Sequence, residues 1–173
     1  MTQTLYAPWR LDYIKTVSDG PAACFLCDAA KNPDHDAANL VLARTPLCLL
    51  MLNKYPYVNG HLLVAPYRHV PTLEECTPED RAEMMELLVH GQKLLTLGQQ
   101  ALALAMNPQG FNIGFNIGKC AGAGVPGHIH AHIVPRWNGD INFITILGNV
   151  RVIPQAIEQA YAQLKEAVDS LTH

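Results

Sequence analysis

An α+β fold with an antiparallel sheet is predicted by three features of the sequence. Short apolar runs broken by turn residues fill Leu40 to Pro66, helical periodicity follows Pro78 and again Pro154, and no strand–helix–strand unit repeats. The 173 residues are 49% apolar and 16% charged, which suits one packed core and is too hydrophobic for a disordered chain. We expect a single domain over residues 1–173.

The elements follow in order. Residues 1–36 are rich in Ala, Asp, Pro and aromatics without periodicity, and they read as an irregular cap that carries Cys24-x-x-Cys27. NLVLAR, LCLLMLN and HLLVAP are apolar runs of strand length, and Val58-Asn59-Gly60 is a turn because Asn and Gly accept positive φ. Thr77-Pro78-Glu79-Asp80 starts a helix: Thr caps it, Pro sits at its first position and two acids occupy its first turn. Met84, Leu88, Gly91, Leu95, Gly98 and Leu102 then share one face, so the helix is expected to run from about Pro78 to about Ala105. GFNIGFNIG reads as another strand, ended by a glycine-rich segment from Gly118 to Gly127. His128 to Pro135 alternates strictly, which as a strand places His128, His130 and His132 on one face and Ile129, Ala131 and Ile133 on the other. Ile157, Tyr161, Leu164, Val168 and Leu171 make residues 154–171 a C-terminal helix.

Composition excludes several functions. The net charge is −3 and the 12 basic residues are scattered, so nucleic acid is not an expected partner. The opening MTQTLYAPWRLDYIK has no signal-peptide pattern and no apolar run nears the roughly 20 residues that span a bilayer, so we expect a cytoplasmic protein without membrane contact. Thiols stay reduced in that compartment, and an odd count of five cysteines speaks against disulfides. The Cys24/Cys27 pair is then a metal or redox pair. Cys48, Cys76 and Cys120 read as unpaired thiols, Cys48 in the core.

Three histidines at alternate strand positions admit three readings: an exposed polar face, a three-ligand metal site, or nucleophilic and acid–base work on a phosphate, for which neutral imidazole is suited near pH 7. HIHAHIVP resembles the His-x-His-x-His motif of the histidine triad nucleotide-binding family. NKYPYVNGHLLVAPYRHVPTLEE is similar to the first half of that family's domain. APWRLDYI before CFLC, GFNIG, the glycine-rich loop and PRWNGDINFI resemble its bacterial branch of diadenosine-tetraphosphate phosphorylases (ATP adenylyltransferases).

The resemblance implies a five-stranded antiparallel sheet with two main helices, paired into a homodimer through the long helix and an edge strand; Gly91 and Gly98 on that helix's apolar face would permit close helix approach or serve packing within the chain. It also implies nucleotidyl transfer from a dinucleoside polyphosphate to phosphate, with water as the alternative acceptor and a non-catalytic nucleotide sensor as a further alternative. His130 matches the nucleophile that carries the adenylyl group, and His132 the donor to the α-phosphate or leaving oxygen. His130 then needs an acceptor for its Nδ1–H, which the sequence does not reveal. Asn53 and Asn116 match ribose and α-phosphate contacts. Gly124 and its loop would offer backbone N–H groups in place of the Ser or Thr common in the family, and Lys119, Arg136 and Trp137, with Asp140 and Asn142, would meet the distal phosphates. His61 is expected to support the pocket. In relatives with the Cys pair, His69 and His128 match the remaining ligands of a structural zinc, one per chain, joining Cys24 and Cys27; His35 is the rival to His69. No organic cofactor is implied.

Overall fold

The computed structural model describes residues 24–101, 108–140 and 153–171, with side chains except at 93–101 and 170–171. Five strands, β1 Val41–Arg44, β2 Cys48–Leu52, β3 Leu62–Pro66, β4 Gly110–Phe115 and β5 Ala131–Arg136, form one sheet in the order β1-β2-β3-β5-β4. Every pairing is antiparallel, in agreement with the expected class. Among the described residues there are three helices, α1 Phe25–Lys31, α2 Pro78–Ala101 and α3 Ile157–Leu171.

The central strands read as continuous apolar runs because both of their faces are covered. On one face Leu50, Leu52, Leu62, Val64, Ile129 and Ile133 pack with Met84, Leu87 and Leu88 of α2 and with Ala160, Leu164 and Ala167 of α3. On the other, Leu49, Met51, Leu63 and Ala65 pack with Leu26 and Ala29 of α1. At α2, the Asp80 N–H donates to Thr77 Oγ1 at 3.1 Å and the Thr77 N–H donates to Asp80 Oδ2 at 2.9 Å, a reciprocal cap that satisfies two orphan donors. The helix then lies so close to the sheet that a Cβ on Gly91 would stand 2.6 Å from Ile133 Cδ1. Gly91 therefore serves contact with its own sheet rather than a partner's helix.

Three expectations need adjustment. The N-terminal segment is helical at Phe25–Lys31 rather than irregular throughout. Seven residues that bury only Leu26 and Ala29 are too few for a period to show. Arg44 anchors that helix from outside it, donating to Ala29 O at 2.6 Å and to the Asp36 carboxylate. The strand expected from His128 begins only at Ala131, because the Ile129 N–H bonds to Val70 O at 2.6 Å instead of joining a ladder. The C-terminal helix begins at Ile157 rather than Pro154, and the expected end of the long helix near Ala105 lies outside the described residues.

Candidate active site and metal centre

β5 carries His132 opposite Leu63 on one side and Gly114 on the other, on the face away from Ile133. His128 and His61 are wholly buried and His130 and His132 are 4% and 9% exposed, which removes the reading of an exposed polar face. Such burial demands partners, and the partners set each ring's tautomer. The His130 Nδ1–H donates to the carbonyl of His128 at 2.8 Å, so Nε2 keeps a free lone pair. That carbonyl is the acceptor the sequence left unidentified. The Tyr57 N–H donates to His61 Nδ1 at 3.1 Å, which forces the His61 proton onto Nε2, and this proton is donated to His132 Nδ1 at 2.9 Å. His132 is thereby left with its own proton on Nε2. Asn116 Nδ2 lies 3.5 Å from that nitrogen, at the limit of hydrogen bonding, so the proton stays available to a ligand oxygen.

Burial holds His130 below the ordinary imidazole value, against the opposing bond to the His128 carbonyl. Burial, and then the His130 ring beside it, take His132 down to about 4. His132 is therefore neutral in the folded protein at pH 5 while its unfolded counterpart is charged below about pH 6.5. Its contribution to stability is complete above pH 6.5 and lost as the pH falls toward about 4. Urea titrations at pH 7 and pH 4.5 should show a drop in midpoint that is smaller in His132→Asn; equal drops in the two proteins would show that His132 carries no such penalty.

Asn53 and Asn116 join this group. Asn53 Nδ2 donates to His61 Nδ1 at 3.2 Å and its Oδ1 accepts from the Tyr55 N–H at 2.9 Å. Lys119 and Gly124 sit in the loop before His128, where Gly118 and Gly122 take φ of +84° and +88°, values open to glycine. The Ala121, Gly122 and Ala123 amides donate to Gly118 and Lys119 carbonyls, so those three donors are spent inside the loop. Arg136 and Trp137 are not brought to the histidines. Four residues along the strand, roughly 13 Å from His132, the Arg136 guanidinium binds both oxygens of Asp140 and donates to Asn112 Oδ1 at 2.8 Å. Asn142 lies outside the described residues.

Behind the triad is a second cluster. Cys24, Cys27, His69 and His128 present four ligand atoms all within 4.8 Å of one another. Cys24 Sγ is 3.2 Å from His128 Nδ1, and Cys27 Sγ is 3.1 Å from His69 Nδ1 and 3.5 Å from His128 Nδ1. Ligands of one tetrahedral ion with bonds of 2.0–2.3 Å lie about 3.5 Å apart, so the donor set fits. The His128 Nε2–H donates to Pro66 O at 2.8 Å, which leaves the Nδ1 lone pair facing the sulfurs. His35, exposed in a turn at Pro33–His35, is not part of the cluster. The four residues can hold a metal ion.

Spacing did not reveal Tyr57. Its ring is stacked on His132, with centroids 5.7 Å apart and planes at 19°, and lies 4.5 Å from His61. A tyrosine in a Pro- and Asn-rich loop carries no periodic signal, and only the fold shows which ring it meets.

Comparison with known proteins agrees with this geometry. The HIT domain model matches residues 35–139. An AP-4-A phosphorylase of Mycobacterium tuberculosis is 40% identical over 167 residues, 90% of this chain and 78% of its own length. An asymmetrical bis(5'-nucleosyl)-tetraphosphatase of Schizosaccharomyces pombe is 36% identical over 102 residues, 59% of this chain and 52% of its own. Among solved structures, a zinc-bound histidine triad family protein from Mycobacterium smegmatis superposes with a TM-score of 0.63 at 27% identity, covering 88% of this chain and 98% of that one. With the triad, the five-stranded sheet and the matched model on the same residues, this chain belongs to the HIT family.

Proposed function

We propose that the protein is a nucleotidyl transferase that cleaves diadenosine tetraphosphate with inorganic phosphate. The observation that carries this reading is the His130 ring, buried, neutral and held by the His128 carbonyl so that Nε2 is free to attack. Its lone pair forms a bond to the α-phosphorus of one adenosine, and the bond from that phosphorus to the bridging oxygen breaks in line, releasing ATP. The His132 Nε2–H donates to the phosphate oxygens as charge builds on them. Phosphate then attacks the adenylyl group from the opposite side, His130 leaves with its electron pair, and ADP is formed. Support for the substrate class comes from the relative of 40% identity.

Asn53 and Asn116 would hold the ribose and α-phosphate, and Gly124 and Lys119 would approach the phosphates from the loop. Arg136 and Trp137 would act on the far end of a long ligand. Cys24, Cys27, His69 and His128 would hold zinc, the ion that two sulfurs and two imidazoles favour. Zinc bound there supplies a closed structural crosslink. Met85 and Val89 of α2 and Ile113 and Ile117 at β4 are exposed apolar side chains, which supports a homodimer through these elements. No disulfide joins any of the five cysteines, a pattern that suits the cytoplasm. No described helix is long and apolar enough to cross a membrane.

Hydrolysis is the second reading, favoured by the tetraphosphatase relative. Incubation of the pure protein with diadenosine tetraphosphate, with and without phosphate, separates the readings by nucleotide chromatography. ADP and ATP formed only with phosphate is the expected result. AMP formed without phosphate would make the protein a hydrolase, and nucleotide binding with no product in either tube would make it a sensor.

A further inference from the structure

Tyr57 touches every member of the proton-donating side of the site. Its backbone N–H donates to His61 Nδ1 at 3.1 Å, its ring lies 4.5 Å from the His61 ring and stacks at 5.7 Å on His132, and its hydroxyl accepts from Asn116 Nδ2 at 3.5 Å. The His132 ring is fixed at Nδ1 by His61 and meets the His130 ring edge-on at 5.0 Å. A single hydrogen bond still lets an imidazole tilt about the bonded nitrogen. The nearly parallel Tyr57 ring restricts that tilt, and offset stacking of this kind is favourable beyond the area it buries. Tyr57 is 40% exposed, so the ring forms a wall of the cleft rather than part of the core.

We propose that Tyr57 is a positioning residue for His132, its ring holding that imidazole in the plane that aims Nε2–H at the reacting phosphate. This rests on the reading of the site as adenylyl transfer. The hydroxyl is secondary, since its contact with Asn116 is long, whereas the ring is essential. A misaimed donor costs rate more than affinity, because the bond it makes strengthens as charge develops in the transition state.

The test compares Tyr57→Phe and Tyr57→Ala with the native enzyme. Tyr57→Phe keeps the ring and should retain kcat within about threefold. Tyr57→Ala should lower kcat by about 10- to 100-fold with KM changed by less than about threefold. Long-range nitrogen–proton NMR of the histidine rings supplies a readout independent of turnover. In all three proteins the His132 proton should stay on Nε2, because the backbone N–H of residue 57 that sets it survives, and in Tyr57→Ala alone the His132 ring signals should broaden or split as the ring tilts. An alanine variant with native kcat and His132 ring signals as sharp as the native ones overturns the proposal, as does loss of kcat in the phenylalanine variant equal to that in alanine. If the native enzyme transfers no adenylyl group, the reading of the site fails instead, and the width and splitting of the His132 ring signals still decide whether the ring positions His132.

Discussion

Replacing His130 with asparagine should lower turnover of diadenosine tetraphosphate by about 10⁴-fold or more while changing the affinity for nucleotide by less than about tenfold. The amide is smaller than imidazole, and its nitrogen can still donate to the His128 carbonyl, so the neighbouring backbone has no reason to move. What it lacks is a basic lone pair directed into the cleft. Without a covalent intermediate the phosphate acceptor must displace ATP directly, and two anions must then approach one phosphorus with no preceding step to shed the leaving group. The expected signature is therefore twofold: acid-labile label from adenosine-labelled substrate accumulates on the native polypeptide in the absence of phosphate, and none accumulates on His130→Asn. A variant that turns over within tenfold of the native rate would mean that phosphate or water attacks the nucleotide without passing through His130.

Strand alternation put His128, His130 and His132 on one face beside a glycine-rich loop, and only the resemblance to the histidine triad motif singled out His130 as the proposed nucleophile. The metal ligands were legible only in part. Cys24 and Cys27 announce themselves by spacing, but His69 lies 42 residues from Cys27 and is brought to it only by the loop that follows β3. Resemblance supplied that pairing, and composition could not have chosen it over His35. The tautomers were illegible for a different reason. They depend on the Tyr57 amide and on the carbonyls of Pro66 and His128, groups that every residue carries and that only the fold selects. For Arg136 the sequence offered only a position past the triad: one strand's length of extended backbone sets it apart from His132 and pairs it with Asp140, a contact that spacing did not show.

The second large effect concerns stability. Cys24→Ser should reduce bound zinc from about one per chain to a small fraction and lower the melting temperature by about 8–20 °C. A metal that ties Cys24 to His128 joins residues 104 apart. Treated as a crosslink, closure of a loop that long removes roughly 4–5 kcal/mol of unfolded-state entropy. At about 2–4 °C per kcal/mol for a chain of this size the loss corresponds to about 8–20 °C. The fold should survive without the ion, because Leu26 and Ala29 remain buried under the sheet and Arg44 still holds the carbonyl end of α1. Loss of the ion leaves the Cys27 thiol raised by burial and then by its bond to Cys24, so that sulfur becomes a neutral thiol rather than an unpaired thiolate. Calorimetry with a strong chelator separates crosslinking from simple mutational damage: chelation should bring the native protein down to the melting temperature of Cys24→Ser and leave the variant unmoved. A native protein that contains no metal by elemental analysis, or one whose melting temperature ignores the chelator, would show that α1 is held by its apolar contacts and Arg44 alone.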